Sequence, residues 1–208
     1  MSPAPGLWIT FEGGDGSGKS TQAERLARWI GERGRTVLQT REPGGTEVGG
    51  LIRRIVLHHR GDIAPRAEAL LYAADRAHHV ATLVRPALAR GEVVIQDRYL
   101  DSSVAYQGAG RVLDAAQVRD LSLWAAEDAL PDVTVLLDID PADARRRLDA
   151  ADKPFDRLEA EQAEFHGRVR DAYLRLAEAE PERFLVVDAA QDPDDIAAVI
   201  RARIAVHL

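Results

Sequence analysis

Short, almost wholly apolar runs alternate along this chain with longer stretches in which apolar residues recur every three or four positions. The short runs are residues 7–12, 36–40, 92–97, 133–138 and 184–188. Apolar at successive rather than alternate positions, they predict strands buried on both faces, as in a parallel sheet. The longer stretches predict helices. Ala23, Leu26, Ala27 and Ile30 fall on one helical face, with Gly34 beyond them as a stop. Pro65 opens a second helix, with Leu70, Leu71, Ala74 and His78 as its apolar face, running on toward Pro86. Further helices are expected from near Asp114, Pro141, Leu158 and Pro193. Regular alternation of strand and helix predicts an α/β, three-layer fold with right-handed crossovers, in one domain over residues 1–208. The stretch 145–158 fits this rhythm poorly. It is crowded with charge and carries Pro154, so it reads either as a solvated helix end or as a lid over a phosphate site.

Composition narrows the picture. The 208 residues contain no cysteine, which excludes disulfides, thiolate metal sites and a thiol nucleophile. A formal charge of -7 argues against a protein that coats nucleic acid. No apolar run reaches the roughly 18 residues of a membrane helix. Met1 to Gly6 has no basic, apolar leader pattern, so a cytoplasmic location is expected. Lys19 and Lys153 are the only lysines among many arginines. The six histidines show no ligand spacing and are expected mostly at the surface, and Trp8, Trp29 and Trp124 read as core or interface packing.

Gly13, Gly14, Asp15, Gly16, Ser17, Gly18, Lys19 and Ser20 match G-x-x-x-x-G-K-[ST] in full, between an apolar strand and a helix. Glycines let successive N–H groups curl around one anion at the positive end of the following helix. Lys19 would neutralise the outer phosphates and the Ser20 hydroxyl would ligate Mg²⁺, with Thr21 completing the loop. Asp97 ends an apolar strand, where a carboxylate would sit near the metal and the transferred phosphate, and Arg98 follows it. No N/T-K-x-D guanine reader follows a late strand, which argues against a GTPase switch. A small-molecule kinase needs cations for a second phosphate, and Arg53, Arg76 and Arg98 supply them. A kinase for another nucleoside monophosphate, and a regulatory ATPase that phosphorylates no metabolite, remain as alternatives.

Six motifs in order then become recognisable: Phe11 to Thr21, Thr40-Arg-Glu-Pro-Gly-Gly-Thr46, Leu71-Tyr-Ala-Ala-Asp-Arg76, Asp97-Arg-Tyr-Leu-Asp-Ser-Ser103, Ala105-Tyr-Gln-Gly108 and Asp156-Arg-Leu-Glu159. Together they resemble the bacterial thymidylate kinases, which move the γ-phosphate of ATP to dTMP. The resemblance implies a P-loop fold with a five-stranded parallel sheet, a lid at about 145–158, Mg²⁺ and a homodimer. It implies Asp15 at the acceptor's 3′-OH, Arg53 and Arg98 on its phosphate, and Tyr72 stacked on thymine where the family usually has Phe. Arg76, Ser102 and Gln107 would read the base, and Tyr106 would crowd the 2′ position. Some relatives carry an Arg at the position of Gly16, so the transition-state cation is expected from the lid. The lid lacks the usual Arg-Gly before Asp156-Arg157, leaving Arg157 first and Lys153 second, with Arg147 at the helix end before them.

Overall fold

The computed structural model describes residues 5–111, 113–150 and 155–208. In chain order these form β1 (Leu7–Glu12), α1 (Lys19–Gly31), β2 (Val37–Arg41), α2 (Glu47–His58) and α3 (Pro65–His79). A π-turn (Val80–Val84), α4 (Arg85–Ala89), β3 (Val93–Asp97), α5 (Leu100–Ser103) and a second π-turn (Val104–Gly110) follow. The chain closes with α6 (Ala115–Ala126), β4 (Val133–Asp138), α7 (Pro141–Ala150), α8 (Ala163–Ala179), β5 (Phe184–Asp188) and α9 (Pro193–Ala205).

The five strands form one sheet in the order β2-β3-β1-β4-β5, and every pairing is parallel. Central β1 is buried along its whole length, which is why its sequence shows no polar alternation. Its two faces still differ. Leu7, Ile9 and Phe11 pack with Leu26 and Ile30 of α1 and Ile196 and Ile200 of α9. Trp8 faces the other way, into a cluster with Val84, Val94, Tyr99 and Leu100. Edge strands β2 and β5 are only partly covered, so the expectation of strands buried on both faces holds for β1, β3 and β4 alone. Phe11 and Arg41 are both in register with Asp97, so β1, β2 and β3 end side by side at one rim. Ligands bind at this rim in open parallel sheets. Among the described residues no helix is long and apolar enough to cross a membrane.

Two expectations are corrected, and one helix is added to those the periodicity predicts. The buried face of α3 is Ala69, Tyr72, Ala73, Arg76 and His79, whereas Leu70 is 57% exposed and Ala74 faces solvent. Hydrophobic periodicity misread this helix because its inward face carries polar groups that are hydrogen-bonded inside. His79, fully buried, is one of them. Helix α2 was not foreseen, because Gly49 and Gly50 in its first turn are poor helix formers. Gly49 is required there, since a Cβ would lie 2.2 Å from Asp75 Oδ1. The helix expected near Leu158 starts instead at Ala163, after a turn in which Asp156 Oδ1 accepts from the backbone N–H groups of Leu158 and Glu159.

Candidate active site

The loop between β1 and α1 takes the shape its glycines allow. Gly13 has φ 130, and a Cβ on it would meet Leu137 O at 2.4 Å; Gly16 has φ 80, with Ala144 O at 2.7 Å. Lys19 Nζ curls back and donates to Gly13 O at 3.0 Å and Gly14 O at 2.8 Å. Burial, reinforced by Arg98, lowers the Lys19 pKa against the pull of Asp15, Asp97 and Glu12. Ser20 Oγ donates to Asp97 Oδ2 at 3.0 Å, bringing together the two residues singled out for metal. The other Asp97 oxygen, Oδ1, is buried without a partner. A hydroxyl beside a carboxylate with one oxygen to spare is an oxygen donor pair that suits Mg²⁺. No group of three or more His, Cys, Asp or Glu forms a metal cluster among the described residues.

From this loop a cavity of about 490 Å³ extends over the rim of β3. Asp15, Gly16, Gly18, Lys19, Ser20, Thr21, Arg53, Tyr72, Arg76, Asp97, Arg98, Ser102, Tyr106 and Gln107 all line it. Gly13 and Gly14 stand behind it against a void of about 40 Å³, and Ser17 is buried in the loop. The second π-turn carries both Tyr106 and Gln107; π-bulges recur at functional sites.

Arg98 holds φ 67, a strained left-handed conformation for a side chain of its size. Its Nη2 donates to Asp15 Oδ1 at 2.5 Å, and its Nη1 donates to Ser102 Oγ at 3.2 Å and Tyr173 OH at 3.3 Å. Tyr106 OH donates to the other Asp15 oxygen at 3.2 Å, and the guanidinium lies 5.0 Å from its ring centroid. Burial pushes the Asp15 pKa up, but Arg98 and then Lys19 outweigh it and hold the carboxyl at about 2. Beneath this clamp lies Glu12, fully buried. It accepts from Tyr99 N at 2.8 Å, Ser102 Oγ at 2.6 Å and Tyr173 OH at 2.9 Å. Burial, aided by Asp101, pushes its pKa up to about 7. Neither Glu12 nor Tyr173 was assigned a role from sequence. Glu12 stood inside a recognised motif, whereas Tyr173 carried no signal.

Arg76 Nε donates to Glu42 Oε2 at 3.0 Å, and Gln107 Nε2 to Glu68 Oε1 at 2.9 Å. Arg53 Nη1 donates to Pro43 O at 2.9 Å. The lid arginines divide. Arg147 Nη1 approaches Gly16 O at 3.5 Å and lines the cavity. Arg157 does not line it: its Nε donates to Val56 O at 2.9 Å and its Nη2 pairs with Glu68. Lys153 lies outside the described residues.

The thymidylate kinase family profile matches residues 11–200. A thymidylate kinase of Leifsonia xyli subsp. xyli is 72% identical over 200 residues, covering 96% of this chain and 95% of that protein. One of Clavibacter sepedonicus is 72% identical over 198 residues, covering 95% and 94%. The crystal structure of thymidylate kinase from Ehrlichia chaffeensis superposes with a TM-score of 0.78 at 31% identity, covering 96% of this chain and 99% of that one.

Proposed function

This chain belongs to the thymidylate kinase family, and from that premise we propose that it transfers the γ-phosphate of ATP to dTMP, giving dTDP and ADP. The observation that carries the reading is one cavity that is lined by the glycine-rich loop, by Arg98 bonded to Asp15 of that loop, and by Arg53, Tyr72, Arg76 and Gln107. A phosphate oxygen of dTMP attacks the γ-phosphorus in line while the bond to the bridging β,γ-oxygen breaks. The catalysis asked of the protein is positioning and charge stabilisation. Lys19 exchanges the carbonyls of Gly13 and Gly14 for phosphate oxygens. Arg98 and Arg53 hold the acceptor phosphate, and Asp15, kept ionised by Arg98, accepts from the acceptor's 3′-OH. Mg²⁺, held through Ser20 and Asp97, would neutralise the triphosphate's outer oxygens. Tyr72 supplies a face for the base, Arg76 and Gln107 its hydrogen bonds, and Tyr106 fills the space a 2′-hydroxyl would need. Ser102, bonded to Glu12, Tyr173 and Arg98, supports the clamp as well as facing the base.

Arg157 is proposed as the cation that arrives on lid closure, which requires it to leave Glu68 and the end of α2. Lys153 is the second candidate. Arg147 already reaches the loop backbone at Gly16 O. A homodimer is supported by the apolar side chains left outside on three helices that pack side by side: Leu51 and Ile55 of α2, Leu70 of α3 and Trp124 of α6.

The test is ADP release with a panel of nucleoside monophosphates, each against a control lacking acceptor. dTMP is expected to exceed dCMP by at least about 10² in kcat/KM, because a wrong base leaves the site's buried donors unpaired. ADP release that ignores the acceptor would make the protein an ATPase instead, and a better acceptor than dTMP would rename its substrate.

A further inference from the structure

The motif from Thr40 to Thr46 holds Arg53 through Pro43 O, and two of its side chains, Thr40 and Glu42, belong to a chain that ends on Arg76. Glu42 is 4% exposed at the end of β2. One of its oxygens, Oε2, accepts from Arg76 Nε at 3.0 Å; the other, Oε1, accepts from His79 Nδ1 at 2.9 Å. The opposite edge of that imidazole, Nε2, is 2.7 Å from Thr40 Oγ1. The chain therefore runs from Thr40 through His79 and Glu42 to Arg76. Its inner members are almost wholly removed from water. The motif's glycines make room for it: a Cβ on Gly45 would stand 2.5 Å from Thr40 Oγ1 and 2.6 Å from His79 Nε2.

A guanidinium has five N–H donors. Arg76 gives Nε–H to Glu42, one Nη1–H to Ser122 Oγ at 3.0 Å and one Nη2–H to Ser103 Oγ at 3.2 Å. One donor on each terminal nitrogen remains, and Arg76 lines the cavity. A cation this deeply buried needs a partner, because an uncompensated charge there is costly. Glu42 provides one at Nε, leaving the spare donors on the terminal nitrogens. The pair is neutral overall, so what it offers a ligand is direction, not net charge. Two fixed donors suit the 4-carbonyl of thymine and oppose the 4-amino group of cytosine, which is itself a donor.

We infer that Glu42 is a positioning residue for acceptor-base recognition, fixing the spare donors of Arg76 toward a carbonyl, with His79 and Thr40 fixing Glu42. This rests on the reading of Arg76 as a base contact for dTMP. Without the Glu42 carboxylate the guanidinium loses its one ion-pair partner, and the two serine hydroxyls alone are left to orient it.

The experiment compares wild type, Glu42→Gln, Arg76→Ala and the double variant in full steady-state kinetics with dTMP, dCMP and ATP. Glu42→Gln is expected to raise KM for dTMP about tenfold and to lower the dTMP:dCMP preference about tenfold, with KM for ATP unchanged. Added to Arg76→Ala it should cost almost nothing more, because residues acting through one another are not additive. Wild-type dTMP KM and preference in Glu42→Gln, alongside their loss in Arg76→Ala, would overturn the inference and leave the base reading standing. Full preference in Arg76→Ala would overturn the base reading itself. If Glu42→Gln fails to fold, the outermost bond decides. Thr40→Val should raise dTMP KM about threefold and Thr40→Ser restore it, and a Thr40→Val enzyme identical to wild type would sink the proposal.

Discussion

Glu12 is a carboxyl group with no access to water at the end of a central strand. Its pKa is raised from 4.5 to about 7 by burial first and Asp101 second. Between those values the folded chain holds a proton that the unfolded chain has released. This contribution to stability is therefore complete below about pH 4.5 and is lost as pH rises through 7. Asp75, raised to about 6 mainly by burial, works in the same direction. Asp15, held at about 2, works oppositely but only at lower pH, gaining stability as pH climbs through 2 to 4. The urea midpoint of the free protein is thus expected to fall between pH 5 and 8, with a loss on the order of 1–3 kcal/mol from Glu12. Glu12→Gln should flatten that slope, leaving the share due to Asp75; an unchanged slope would remove Glu12 as its source. Legibility at this scale followed separation in sequence. The loop from Gly13 to Ser20 could be read because its spacing is local and its glycines answer to backbone geometry. The partner of Arg76 lies 34 residues away and that of Tyr173 lies 161 away, and a single sequence carries no signal for pairs formed only on folding.

Elements differ in how they mediate the reaction. The strands and the body of α1 are framework, with Glu12, Lys19, Ser20 and Asp97 at their ends reaching the site, and their positions are legible because buried strands and an amphipathic helix write their own periodicity. Helix α3 was placed correctly by Pro65 at its start, but with the wrong face inward. Its inner face must carry Glu68, Asp75, Arg76 and His79, so the demands of the site override the hydrophobic pattern. Arg157, after α7 and before α8, is the residue proposed to move. In this conformation Arg157 and Gln107 share Glu68, so the arginine proposed for the transition state is held on the carboxylate that also fixes the amide proposed to read the base. If Arg157 acts only after closure, Arg157→Ala should lower kcat by about 10² to 10³ while dTMP affinity, measured without turnover, barely moves. Retained turnover in that variant, together with a loss in Arg147→Ala, would hand the role to the arginine beside Gly16.

At the scale of the whole molecule, Trp124 is 78% exposed on α6, a large apolar ring left mostly uncovered by the described residues. With Leu51, Ile55 and Leu70 it marks the face proposed for a second copy. Trp124→Glu is expected to shift the species seen by sedimentation velocity from dimer to monomer at micromolar concentration. A wild-type protein that sediments as a monomer would refute that assembly. The strand order has a consequence of another kind, for the chain as it is made. β1 lies between β3 and β4, so the first strand synthesised is the middle of the finished sheet. The loop that follows it is shaped against Leu137 and Ala144, far along the chain from Gly13 and Gly16. At roughly 5–20 residues per second, the ribosome delivers those walls on the order of ten seconds after the loop itself. Through that interval the nucleotide loop has its glycines but not the backbone that presses it into shape, and for the earlier part of it Asp97 is missing as well. ATP can stabilise the completed sheet, but it cannot guide the assembly of the sheet's first half.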